Sequence, residues 1–158
     1  MRRAQRPNPP TGFRRLLWRL PITLFRAHLG FLVSKRLMLV THVGRSSGQP
    51  RQAALEVVEL RDDGSIITAS GFGTAADWYK NIRKTPEVTI QVGNRVHGAR
   101  ATTLSTEEGG DIMANYAIKR PRLAKRLSRV MGFEVDGSVD DYRAVGCAIP
   151  FVRFIPVV

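Results

Sequence analysis

The 158-residue chain reads as one α+β domain, a single antiparallel sheet of about six short strands closing into a small barrel, with helices inserted before the last strand. Three observations predict this. Apolar runs of strand length recur, each closed by a turn rich in Gly, Pro, Asn or Asp. Two stretches with helical spacing come late, ahead of the final run. Strands do not alternate regularly with long helices, which argues against a parallel doubly wound sheet. The length suits one domain, and 43% hydrophobic residues supply a core without disulfides, since Cys147 has no partner cysteine. That cysteine usage fits a reducing compartment.

The elements follow in order. Residues 1–12 are rich in Arg and Pro and read as disordered. Residues 13–36 place Phe13, Leu16, Leu17, Leu20 and Leu24 at helical spacing, with Arg14, Arg15, Arg19 and Arg26 largely between them. Pro21 breaks the pattern into two short helices or one kinked helix. Such a basic amphipathic segment suits either an anionic membrane surface or the side of the barrel, with snorkelling arginines. The barrel domain occupies residues 37–158, with strands expected at 37–43, 52–60, 65–70, 88–92, 95–104 and 146–157. Asp62-Asp63-Gly64 and Gly93-Asn94 are its hairpin turns. A helix is expected at 78–84 with Asp77 as its cap and Thr85-Pro86 as its end. Ser105 and Glu108 form a capping box for a helix over 106–116, and another helix is expected over 121–131.

Charge is lopsided. The first acidic residue is Glu56, and eleven of the 25 basic residues precede it. A nearly neutral domain therefore carries a strongly basic front end, suited to lipid, nucleic acid or a polyanionic cofactor. Nucleic acid is the weakest of these, because no recognition motif is present and aromatics do not interleave with the basic clusters. No stretch has the length and apolarity of a membrane span or signal peptide, so the expected location is cytoplasmic, with or without peripheral membrane association.

The turn Gly44-Arg45-Ser46-Ser47-Gly48-Gln49-Pro50-Arg51 is the sharpest chemical feature. Its glycines let backbone amides approach a ligand, its serines offer hydroxyls, and its arginines offer forked, permanently charged donors. Together these suit a phosphate. The turn is neither a Walker motif nor a Gly-x-Gly-x-x-Gly fingerprint. A second feature is Ala69-Ser70-Gly71 followed by Trp78 and Asn81, where small residues admit a planar ring and an indole can wall it. Hydrolytic machinery is not evident: His28, His42 and His97 stand in dissimilar contexts without a Gly-x-Ser-x-Gly elbow, and His42 reads as structural. No metal-ligand constellation is visible.

These two features, in this order, resemble the deazaflavin-dependent nitroreductase family of the flavin and deazaflavin split-barrel superfamily. The turn matches that family's Gly-Arg-x-Ser/Thr-Gly-x-x-Arg motif, and the likeness extends over roughly residues 37–157 through Trp78-Tyr79-x-Asn81-Ile82, Pro86-Glu87-Val88, Asp141-Tyr142 and Ile149-Pro150. The resemblance implies an FMN-binding split-barrel-like fold and the deazaflavin coenzyme F-420 (F420). The reduced cofactor would pass hydride to a small-molecule acceptor of quinone, enone or nitro type. It implies that Arg45, Ser46, Ser47, Gly48 and Arg51 hold the phosphate-bearing tail. Gln52, Ala53 and Ala54 would pass beneath the ring, with Ala69, Ser70, Gly71, Trp78 and Asn81 around it. Tyr142 would face the acceptor as the catalytic hydrogen-bond donor. A homodimer is implied as well. Family members commonly carry lysine where this chain has Ser46 and Gly71. FMN is therefore the alternative cofactor, and a lipid- or membrane-binding barrel with little catalysis the alternative function.

Overall fold

The structure, a computed structural model, describes residues 1–3 and 36–157. The first part of the chain gives β1 (Arg2–Arg3), β2 (Leu37–Val43), β3 (Pro50–Leu60), β4 (Ile66–Ala69), α1 (Asp77–Lys84), β5 (Glu87–Val92) and β6 (Arg95–Thr103). The remainder gives α2 (Thr106–Lys119), α3 (Pro121–Val130), β7 (Phe133–Glu134), α4 (Val139–Ala148) and β8 (Phe151–Pro156). Six strands close into an antiparallel barrel in the order β2-β3-β4-β8-β6-β5. Closure pairs every strand on both sides and leaves no free edge. The expected fold is thus observed.

Period-two alternation fills the barrel. Met38 and Val40 on β2, Val88 and Ile90 on β5, and Val152 and Phe154 on β8 all point inward and are buried. Tyr79 and Ile82 of α1 join the same cluster. Residues of the opposite strand faces, Ile67 and Phe151, enter a second cluster. There α2, α3 and α4 lay Met113, Tyr116, Leu127 and Val145 over the outside of the barrel. Helices α2 and α4 meet where neither has a side chain. A Cβ on Gly109 would stand 2.7 Å from the carbonyl oxygen of Gly146, and one on Gly146 would overlap the Gly109 carbonyl.

The capping box at α2 is formed: Ser105 Oγ accepts from the Glu108 N–H, and Glu108 Oε2 accepts from the Ser105 N–H. Gly64 adopts φ +81° in the β3–β4 turn, where Asp63 Oδ1 accepts from the N–H and hydroxyl of Ser65.

Four expectations need correction. The last strand begins at Phe151, because residues 146–148 finish α4, a helix not foreseen. Asp140 and Asp141 lie in the first turn of that helix, and Ser138 caps it by accepting from the Asp141 N–H. Helix α2 runs on to Lys119, since nothing breaks it before the Arg120-Pro121 step. Asp77 is the first helical residue of α1 and its side chain caps nothing, being turned to Arg45 instead. Of residues 1–12, read as disordered, Arg2 and Arg3 pair with Glu134 and Phe133, and the Met1 ammonium donates to Asp141. The expected helical segment at 13–36 lies outside the described residues, apart from Arg36.

Candidate functional site

A groove of about 650 Å³ opens where the ends of β2 and β3 meet α1. One wall is the turn between the two strands. It is closed by the Gly44 N–H donating to the Gln49 carbonyl and the Gly48 N–H donating to the Gly44 carbonyl, both at 2.8 Å. Two glycines make this geometry possible. Gly48 adopts φ +67°. A Cβ on Gly44 would stand 2.6 Å from Ser47 Oγ, which accepts from the Gln49 N–H. The tight turn presents Ser46, Ser47 and Arg51 to the groove.

The opposite wall is small and aromatic. Ala53 of β3, Ala75 and Ala76 ahead of α1, and the side chains of Phe72 and Trp78 line it. The loop carrying Phe72 is tied down from behind: Ser70 Oγ donates to the Gly73 carbonyl at 2.6 Å, and the Ser70 N–H donates to the Pro150 carbonyl. Trp78 is braced edge-on by Tyr79, with ring centres 6.0 Å apart.

A polar network joins the two walls. The Arg45 main-chain N–H and its Nη1 both donate to Asn81 Oδ1, at 3.1 and 2.8 Å. Arg45 Nη2 donates to the Asp77 carboxylate at 2.9 Å, and Lys84 Nζ donates to the Arg45 carbonyl. Asn81 Nδ2 lies 3.1 Å from His42 Nδ1. His42 and Asn81 are buried although both border the groove. Burial pushes the His42 pKa below the ordinary histidine value; Asp77 opposes this and Arg51 adds to it.

Of the residues expected at the site, the fold brings Arg45, Ser46, Ser47, Arg51, Gln52, Ala53, Trp78 and Asn81 to one groove. Gly48 shapes the turn without lining the groove, and Ala54, Ala69, Ser70 and Gly71 are not among its lining residues. Of these, Ser70 ties down the loop that holds Phe72. Tyr142 is not brought to the groove. It is buried in α4 within the helical cluster, where burial raises its pKa and Asp136 and Asp141 add to the effect. His42, Phe72, Ala75, Ala76 and Asp77 line the groove and were not expected there. One signal for His42 was available. Met38, Val40 and His42 occupy alternate positions of β2, so a polar residue ends an inward-facing apolar row.

Among the described residues no cluster of His, Cys, Asp and Glu is arranged to hold a metal ion, and no helix is long and apolar enough to cross a membrane.

Comparison with known proteins gives a consistent result. Residues 24–131 match the model of the F420H(2)-dependent quinone reductase family. The chain is 32% identical over 85 residues to Rv3178 of Mycobacterium tuberculosis strain H37Rv, described as an F420H(2)-dependent quinone reductase, covering 52% of this chain and 71% of that one. Two solved structures share the fold. An F420-H2 dependent reductase, FDR-A, superposes with a TM-score of 0.52 at 22% identity, over 77% of this chain and 95% of its own. A domain-swapped dimer superposes with a TM-score of 0.51 at 19% identity, over 85% and 98%.

Proposed function

The chain belongs to the F420H(2)-dependent quinone reductase family, and from that premise we propose that it is an F420-dependent oxidoreductase whose groove between the Gly44–Arg51 turn and α1 holds the cofactor. The observation that carries the assignment is the union of two unlike walls on one groove, one cationic and hydroxylated, the other small and aromatic. A phosphate-bearing tail needs forked cations, hydroxyls and close-approaching amides, which Arg45, Arg51, Ser46, Ser47 and the Gly48 backbone offer. A flat ring needs a wall without bulk, which Ala53, Ala75 and Ala76 offer, and an aromatic flank, which Trp78 and Phe72 offer. The donor set therefore fits F420. The turn is kept tight by the Gly44 N–H donating to the Gln49 carbonyl and by Gly48 at φ +67°.

When bound, reduced F420 supplies the hydride chemistry. The protein's part is to fix the ring, exclude water from one face and bind the acceptor beside it. The acceptor we propose is a quinone, since its carbonyls take up hydride without strong acid–base residues. The basic segment at 13–36 would bring the protein to an anionic membrane surface where lipid-soluble quinones reside. Pairing into a homodimer is part of the same proposal, supported by the fold shared with a domain-swapped dimer.

Fluorescence titration of the purified protein with F420 tests the cofactor assignment. Saturable binding, weakened about tenfold or more by Arg51→Ala, is expected. Absence of binding would sink the assignment. Flotation with anionic liposomes, comparing the full chain with one lacking residues 1–34, tests the membrane role; equal flotation would overturn it.

A further inference from the structure

Asn81 is 4% exposed, and its amide orientation is fixed by its partners. Two N–H donors of Arg45 converge on Oδ1, so the Nδ2 side faces His42. An amide nitrogen only donates, so His42 Nδ1 must accept, and the imidazole is neutral with its proton on Nε2. A protonated ring would set N–H against N–H at 3.1 Å between two side chains that are both buried. The contact would open, and Asn81 would lose the support that aligns it with Arg45.

We propose that His42 is a positioning residue of the groove: as the neutral imidazole it orients Asn81, and Asn81 holds the Arg45 guanidinium where the anionic tail of the ligand is met. This rests on the reading that the Gly44–Arg51 turn holds that tail. Surrounding charges are mixed. On α1, Asp77 favours the imidazolium, and Lys84 stands at the Arg45 carbonyl. Arg51, opposite His42 on β3, disfavours it, and the turn contributes Arg45. On β5, Glu87 lies two positions before Thr89, the partner of Thr41, and is paired with Arg100. Acid should therefore loosen Arg45 through His42, and ligand affinity should fall with it.

Two substitutions separate positioning from mere packing. His42→Asn places an amide oxygen near the position of Nδ1, keeping an acceptor that takes up no proton. His42→Leu removes the acceptor. In fluorescence titrations with F420 between about pH 5 and pH 8, His42→Leu is expected to bind about tenfold more weakly than wild type at neutral pH. His42→Asn is expected to bind as wild type there, and more tightly than wild type in acid. Ionisations of the ligand cancel in that ratio, because both proteins meet the same ligand. A second readout needs no ligand: the side-chain amide NMR signal of Asn81 should move with pH in wild type and stay fixed in His42→Asn. The proposal is overturned if His42→Asn keeps the wild-type pH profile, or if the Asn81 amide signal is insensitive to pH in wild type. Should His42→Leu not fold, those two measurements decide. Arg45→Ala separates the two levels. If it binds as wild type, the reading of the turn fails; if it binds weakly while His42→Leu binds normally, only the role of His42 fails.

Discussion

The barrel interior and the helical layer are both closed by aliphatic and aromatic side chains, but they end differently. The interior row of β2 runs Met38, Val40, His42, and the last of these borders the groove. The helical layer carries two tyrosines: Tyr116 borders a separate cavity beside Arg120, whereas Tyr142 lines no cavity and shares its cluster with Met113, Val145 and Phe151. The difference teaches where a polar group in a core is informative. A buried imidazole at the end of a strand, hydrogen-bonded to a side chain that orients an arginine, belongs to a site. A buried tyrosine within an apolar cluster, away from that groove, belongs to the packing.

The largest effect that can break this comparison lies at the α2–α4 crossing. Gly146→Val would drive a side chain into the Gly109 carbonyl and to within 2.7 Å of Met113 Cβ. Both obstacles belong to a helix, and neither can swing aside. Chemical denaturation should show a loss of about 3 kcal/mol or more, while F420 affinity of the folded fraction stays within about twofold because the groove is built elsewhere. Near-wild-type stability would mean that the helices do not meet so closely. Ala53→Leu is the mirror experiment. The added bulk projects into the groove wall, so F420 affinity should fall about tenfold or more, with stability altered by at most about 1–2 kcal/mol. Unchanged affinity would remove Ala53 from the ring wall.

The same contrast explains what was legible in the sequence. The first five barrel strands and the turns with Gly, Asn or Asp at the bend appeared where expected, with errors of a residue or two at their ends, whereas the last strand starts five residues later than expected. The Gly44–Arg51 turn was legible because its chemistry is local: glycines, hydroxyls and cations stand side by side. Helix α4 was not legible, because its signal is tertiary. Gly146 looks like the first residue of the last strand until α2 is laid against it. Asp77 looks like a cap until Arg45, 32 positions away, is brought to its carboxylate. His42 looked structural because its partner, Asn81, lies 39 positions further on. Contacts of this separation are set by barrel closure, which no local pattern encodes.

A smaller effect concerns pH and stability. Burial disfavours the imidazolium of His42, so the folded protein binds that proton less readily than the unfolded chain, where the ordinary value is 6.5. The stability due to the neutral ring is fully present above that value and is lost as pH falls towards and through the lower folded one. Denaturation midpoints should therefore decline below about pH 6.5 in wild type and decline less in His42→Asn. Equal declines in both would show that His42 does not set this dependence.

The smallest expected effect is the one that tests the comparison most directly. Tyr142 has a phenol whose pKa is raised by burial and by nearby Asp136 and Asp141, so it is neutral at physiological pH and a competent donor in principle. Its position keeps it out of the groove lining. Its ring is packed in the helical cluster, and the groove is lined by β2, β3, α1 and the loops joining them to their neighbours. Tyr142→Phe keeps the packed ring and removes only the hydroxyl. Stability should change by less than about 1 kcal/mol, and F420 affinity and quinone reduction should both match wild type. A fall of about tenfold in turnover with cofactor affinity intact would place the hydroxyl at the acceptor, and would show that the helical layer opens onto the groove during the reaction.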